Sequence, residues 1–168
     1  MTAVTDTDAA SGSDGRETHP TEPSDYGAIN LVYLALFTAM VASTSRRADR
    51  SSAIRGQELP LLGLATFALA KTVAREKIGT WVRDPFIEES PDRHPVEPRG
   101  QGLRRAVGEL LQCTRCVGAW AALVVVGVRA AAPRGGRTAA AVLATAGIND
   151  FLQAGFRYAT ERADAAGS

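Results

Sequence analysis

Residues 109–126 read ELLQCTRCVGAWAALVVV: a charged, amphipathic start, two cysteines three positions apart, then an apolar run containing a tryptophan. That order decides the fold class. Upstream, Leu103, Val107, Leu110 and Leu111 recur at helical spacing, with Arg104, Arg105 and Glu109 on other faces. This segment is predicted to lead into an apolar span over residues 116–132, with Arg129 near its far end, giving one helix over about 106–132. The stretch PRGGR, 133–137, is predicted to break that helix and, being short, to set the next one antiparallel.

Working outward, residues 26–43 (YGAINLVYLALFTAMVAS) hold no ionisable group except tyrosine. As a helix their 18 residues cover about 27 Å, close to a hydrocarbon core of about 30 Å. Residues 59–74 (LPLLGLATFALAKTVA) are shorter, with Lys71 placed to snorkel from the last turn. The helix is predicted to run on through REKIGTWVRDPF, with Trp81 as an interfacial anchor and Pro85 as a stop. Three prolines make 88–102 a loop. Residues 138–158 begin small and apolar, then admit Asn149, Asp150, Gln153 and Arg157. They cross a bilayer only if those groups face other helices or the interface. Asp150 would cost on the order of 3 kcal/mol inside the membrane without a partner. At the interface it simply meets water.

The expectation is an all-α, polytopic membrane bundle of three to four transmembrane helices, at about 26–43, 59–74, 106–132 and 138–158. Residues 1–25 are acidic and almost without large apolar side chains, which predicts a disordered tail; 159–168 are predicted to be a flexible tail. The start of the chain lacks the pattern of a cleaved secretory signal. Net charge is +1, and 17 of the 19 basic residues are arginines scattered between apolar segments. Charge therefore gives no reason to expect a nucleic-acid partner; the lipid bilayer is the expected one, with a second copy or another membrane protein as further candidates. With four spans, the basic residues other than Arg115 divide 11 against 7 in favour of cytoplasmic termini.

Cys113 and Cys116 are too few for a disulfide framework or a one-chain tetrathiolate site. On a regular helix their Cβ atoms lie about 5–6 Å apart, against about 3.5–4.5 Å in a disulfide, so closure needs the helix to begin at the pair. Arg115 could stabilise a thiolate. A thiol couple, two ligands of a metal shared with a second copy, and two small packed side chains all stay open. His19 and His94 are not at metal-binding spacing. Trp120 follows on nearly the same stripe, as core or interfacial belt. Glu109, one turn before Cys113, needs a partner, and Arg105 can serve. No Ser-His-Asp arrangement or phosphate-cradling glycine loop stands out, so no cofactor is expected and the reading is non-enzymatic.

The order LGLATFALAKTVAREKIGTWVRDPF, a Pro-rich loop, AVGELLQCTRCVGAWAALVVV and a small-residue helix with INDFLQ resembles the bacterial membrane-protein family known as domain of unknown function 1360. The resemblance covers about 59–158 and rests most on the cysteine-tryptophan segment. It implies multi-pass location in the bacterial inner (plasma) membrane and makes Arg83, Pro85, Cys113, Cys116 and Trp120 signature positions. The chain departs from the family pattern between the cysteines, with Thr114 and Arg115 in place of a proline and an aromatic, and at Glu76, where aspartate is common. The resemblance implies no activity. What the sequence predicts is a structural or interaction protein; the alternative is thiol-dependent or metal-binding chemistry at Cys113 and Cys116.

Overall fold

The computed structural model describes residues 22–46, 53–88 and 97–167. These form an all-α helical bundle, with one minimal hairpin beside it. The helices are α1 (Pro23–Arg46), α2 (Leu59–Arg75), α3 (Thr80–Arg83), α4 (Leu103–Gln112), α5 (Thr114–Ala131) and α6 (Pro133–Gly167). The predicted tail is structured from Pro23 onward, and its residues 1–21 lie outside the described part, as does His19.

Pairs along the helices fix their directions. Tyr26 meets Glu109, Tyr33 meets Trp120, and Met40 lies beside Gly127, so α1 runs parallel to α5. Arg75 meets Thr114 while Glu58 meets Arg129, so α2 runs antiparallel to α5. Glu58 also meets Arg137, and Phe67 stacks on Phe151, which sets α6 parallel to α2. Four long helices therefore alternate up and down. Short α3 and α4 and the hairpin gather at one end, the cap end; the α5–α6 connection and the residues before α2 mark the other, the turn end.

Small residues make this packing. Ala65, Ala68, Ala70, Ala74, Ala121, Ala140 and Ala144 are buried, whereas Leu34, Phe37, Val124, Val142, Phe151 and Leu152 are exposed. At Gly147 an added Cβ would lie 3.1 Å from the Leu64 carbonyl, so the absence of a side chain lets α6 approach α2. Two buried clusters result, one around Ile87, Leu111 and Val117 near the cap end and one around Leu62, Val125 and Ala140 near the turn end.

Several boundaries differ from expectation. The helix predicted over 106–132 is two helices, because Cys113 is extended (φ −94°, ψ 102°) and α5 starts after it. The second helix does not run on past Arg75: a 3-10 turn, Lys77–Gly79, and then α3 carry the chain away. PRGGR is no loop. Pro133 opens α6 directly after Ala132, as the first helical position tolerates its missing N–H. Within the expected loop, Ile87–Glu88 and Glu97–Pro98 pair antiparallel, Ile87 opposite Pro98; residues 89–96, His94 included, lie outside the described part. Finally, α6 continues through 159–167, where a flexible tail was expected, and every residue after Asp150 on it is exposed.

Candidate functional site

The thiol pair sits where α4 hands over to α5. No helix-breaking residue explains the handover; Cys113 makes it possible by capping α5 with its own sulfur, which accepts the Cys116 backbone N–H at 3.3 Å. The kink also brings the Cys116 thiol to the Cys113 sulfur, with Sγ–Sγ 2.7 Å. The condition for closure, a helix beginning at the pair, is thus met. Both cysteines are free, Cys113 half-buried and Cys116 exposed. Hydrogen bonds from the Cys116 thiol and backbone, and then the nearby Arg115, lower the Cys113 pKa from its ordinary value, outweighing burial. Among the described residues no group of three or more His, Cys, Asp or Glu gathers to hold a metal ion.

The supporting residues are architectural. Arg83 is buried, and its Nη1 donates to the carbonyls of Val73 at 2.6 Å and Glu76 at 3.0 Å, satisfying the Val73 acceptor that the end of α2 leaves open and joining the Gly79 N–H at Glu76. A Cβ at Gly79 would stand 2.7 Å from the Val73 carbonyl, so the turn below Arg83 needs glycine. The Pro85 carbonyl accepts Arg104 Nε at 3.1 Å and Nη2 at 2.6 Å, tying the hairpin to α4. At Gly108 a Cβ would lie 2.7 Å from the Phe86 carbonyl, so the same helix also needs its glycine. Glu109 finds its expected partner, Arg105, at 3.2 Å, and also accepts the Tyr26 hydroxyl, which the sequence reading missed. Trp120 meets Tyr33 edge-on at 5.3 Å. Trp81 is 77% exposed.

Asp150 has a partner too. Lys71 Nζ bridges it at 3.0 Å and Glu76 at 2.9 Å, joining α2 to α6. At the turn end, Arg129 Nε and Nη2 grip both Glu58 oxygens at 2.9 and 3.1 Å, and Arg137 reaches Glu58 at 2.8 Å. Glu58 and Arg129 are 4% and 5% exposed, and their ionic contact lowers the Glu58 pKa, chiefly through the hydrogen bond from Arg129. Glu58 was missed in the sequence. Its signal was an acid just before an apolar helix with Pro60 in its first turn, in a chain whose next long apolar helix carries Arg129 in its last turn.

Beneath the cap end lies a wholly apolar cavity of about 640 Å³, walled by α1, α2, α4 and α5 through Ile29, Val32, Val73, Leu110, Val117 and Trp120. Trp120 and Val117 are thus part of its lining, one turn below the thiols.

Residues 61–156 match the family described as Protein of unknown function (DUF1360), and the chain belongs to that family, as its motifs implied. A curated relative, the sporulation protein YjcA of Bacillus subtilis (strain 168), is 30% identical over 107 residues, covering 60% of this chain and 91% of the relative. No solved structure matches the chain. The family match includes the thiol pair, Arg83, Pro85, Trp120 and Asp150, whereas α1 lies outside it.

Proposed function

We propose that this DUF1360 chain is an integral membrane protein with four crossings, α1, α2, α5 and the first half of α6, acting as a structural or interaction protein in the bacterial inner (plasma) membrane. The observation that carries the reading is the distribution of size: nine of the fifteen buried apolar residues among those described are alanines, whereas large apolar side chains such as Leu31, Leu34, Phe37, Val124, Val142 and Leu152 face outward. Water favours the reverse. Lipid permits it, because helices there gain by close approach of small residues. By length and composition α1 and α5 are able to cross a membrane. For α2, 17 residues give about 26 Å, and the Lys71–Asp150 pair supplies the compensation that α6 needs to enter lipid. The basic-residue balance favours the cap end, with the thiols and both described termini, in the cytoplasm.

The interaction role rests on the distal half of α6, where Leu152, Phe156 and Tyr158 are exposed. The name of the Bacillus relative makes sporulation a process in which to look for the partner. After alkaline carbonate washing of membranes, the full chain is expected to stay in the pellet. Release into the supernatant would overturn the membrane reading.

The second reading, thiol-dependent chemistry, is favoured by the helix break at Cys113. The metal-binding version needs further ligands, which a second copy's cysteines would supply.

A further inference from the structure

We propose that Cys113 and Cys116 are a dithiol that exchanges with carboxylate-bearing disulfides, Cys113 attacking and Cys116 resolving. This deepens the second reading above and rests on it. Three features of geometry support it. The α4–α5 break removes the helical spacing that would hold the sulfurs apart, and they stand in contact at 2.7 Å. A backbone N–H of the first turn of α5 points at Cys113 Sγ, which stabilises a sulfur that carries charge, as does the positive end of an 18-residue helix. Two guanidinium groups flank the site: Arg115 lies between the cysteines, and Arg75 Nε reaches Thr114 Oγ1 at 3.4 Å. The nearest acid along α4, Glu109, is already held by Arg105 and Tyr26. A carboxylate on an incoming disulfide therefore meets positive charge.

The exchange balances without a cofactor. The Cys113 thiolate attacks one sulfur of the substrate disulfide, the S–S bond breaks, and one thiolate leaves. Cys116 then gives its proton to water and attacks Cys113 Sγ, releasing the second thiolate. The leaving thiolates take up two protons, so the substrate is reduced by two electrons and the chain is oxidised to a Cys113–Cys116 disulfide. A low-molecular-weight thiol reverses the sequence. A pair facing a reducing compartment suits such transient chemistry better than a permanent crosslink.

The test uses the full chain in detergent micelles, equilibrated with oxidised and reduced glutathione, then alkylated and read by mass spectrometry. The expected result is a reversible intramolecular disulfide. Cys116→Ser should accumulate a glutathione adduct on Cys113, and Cys113→Ser should form its adduct about tenfold more slowly. Oxidised glutathione should outpace cystamine, a disulfide carrying amines, and added salt should narrow that gap. Thiols that alkylate freely but never close in any buffer would overturn the proposal while leaving reactive cysteines in place. Thiols that resist alkylation in the folded wild type would remove the thiol reading altogether. Faster reaction of Cys113→Ser, or no preference between the two disulfides, would overturn the assigned order or the assigned substrate class.

Discussion

The bundle carries charge at both ends but handles it differently. At the turn end, Glu58 and Arg129 are buried against each other, with Arg137 completing the cluster from the surface. At the cap end the Lys71, Glu76 and Asp150 groups are each about one third to one half exposed, and Arg83 spends its charge on backbone carbonyls. The difference follows from chain connection. Where one residue, Ala132, joins two helices there is no loop to cover the ends, so side chains must pair inside; Gly136 allows this, since a Cβ there would lie 2.6 Å from the Val128 carbonyl. At the cap end α3, α4 and the hairpin cover the helix ends, and charges can stay at the edge.

The largest effect should come from breaking the buried pair. Arg129→Met leaves Glu58 buried with one surface partner, and the melting temperature in detergent should fall by roughly 10 °C. The same pair has a pH signature. Because contact with Arg129 depresses the Glu58 pKa below its ordinary value of 4.5, the stability it contributes is complete above that value and lost as pH falls through the depressed one. The wild-type melting temperature should thus be insensitive to Glu58 above about pH 5 and drop under acid; Glu58→Gln should be less stable at neutral pH and lack that component of the acid loss. If both variants melt like the wild type, the two ends do not differ in the way described.

Next in size is the cap end's own anchor. Arg83→Ala leaves the Val73 carbonyl without that donor, while Glu76 keeps the Gly79 N–H, and should cost about 2 kcal/mol in denaturant titration. Arg83→Lys should recover part of this, because one nitrogen can serve both carbonyls as Nη1 does, while the contact of Nη2 with Thr80 Oγ1 at 3.4 Å is lost.

The Lys71–Asp150 pair sharpens the comparison with the membrane in view. Lys71→Leu leaves Asp150 on a lipid-facing helix with no cation, and membrane-inserted yield should fall roughly threefold; the double variant with Asp150→Leu should recover it. Unchanged yield in the single variant would place the pair in water.

The smallest effect belongs to Tyr26→Phe. Glu109 keeps Arg105, so chemical denaturation should register about 1 kcal/mol or less.

The helical class, the family and one pairing were legible in the sequence. Periodicity and long apolar runs marked the main helices, and residues 61–156 match the family that the sequence resembles. Arg105 was identifiable as the partner of Glu109 because both lie on one helix, four apart. The need of Asp150 for a partner was legible too, though not that partner's name, since Lys71 is far away in sequence. What could not be read are features made by tertiary contact. The break at Cys113 follows no propensity and depends on a sulfur cap; the end of α2 depends on Arg83 reaching back to Val73; the partners of Glu58 could not be read because its two arginines come from α5 and α6. Local rules see neighbours along the chain, and these groups are neighbours only in the bundle.

The proposed membrane placement puts the two ends on opposite sides of a bilayer, which two-sided cysteine labelling tests most directly. Native Cys113 and Cys116 should resist an impermeant maleimide in intact cells and react once membranes are opened, while Gly135→Cys, an exposed position in open space at the turn end, in a background with both native cysteines replaced by serine, should label from outside. Labelling of the native thiols from outside, or equal access to both ends in intact cells, would contradict the account.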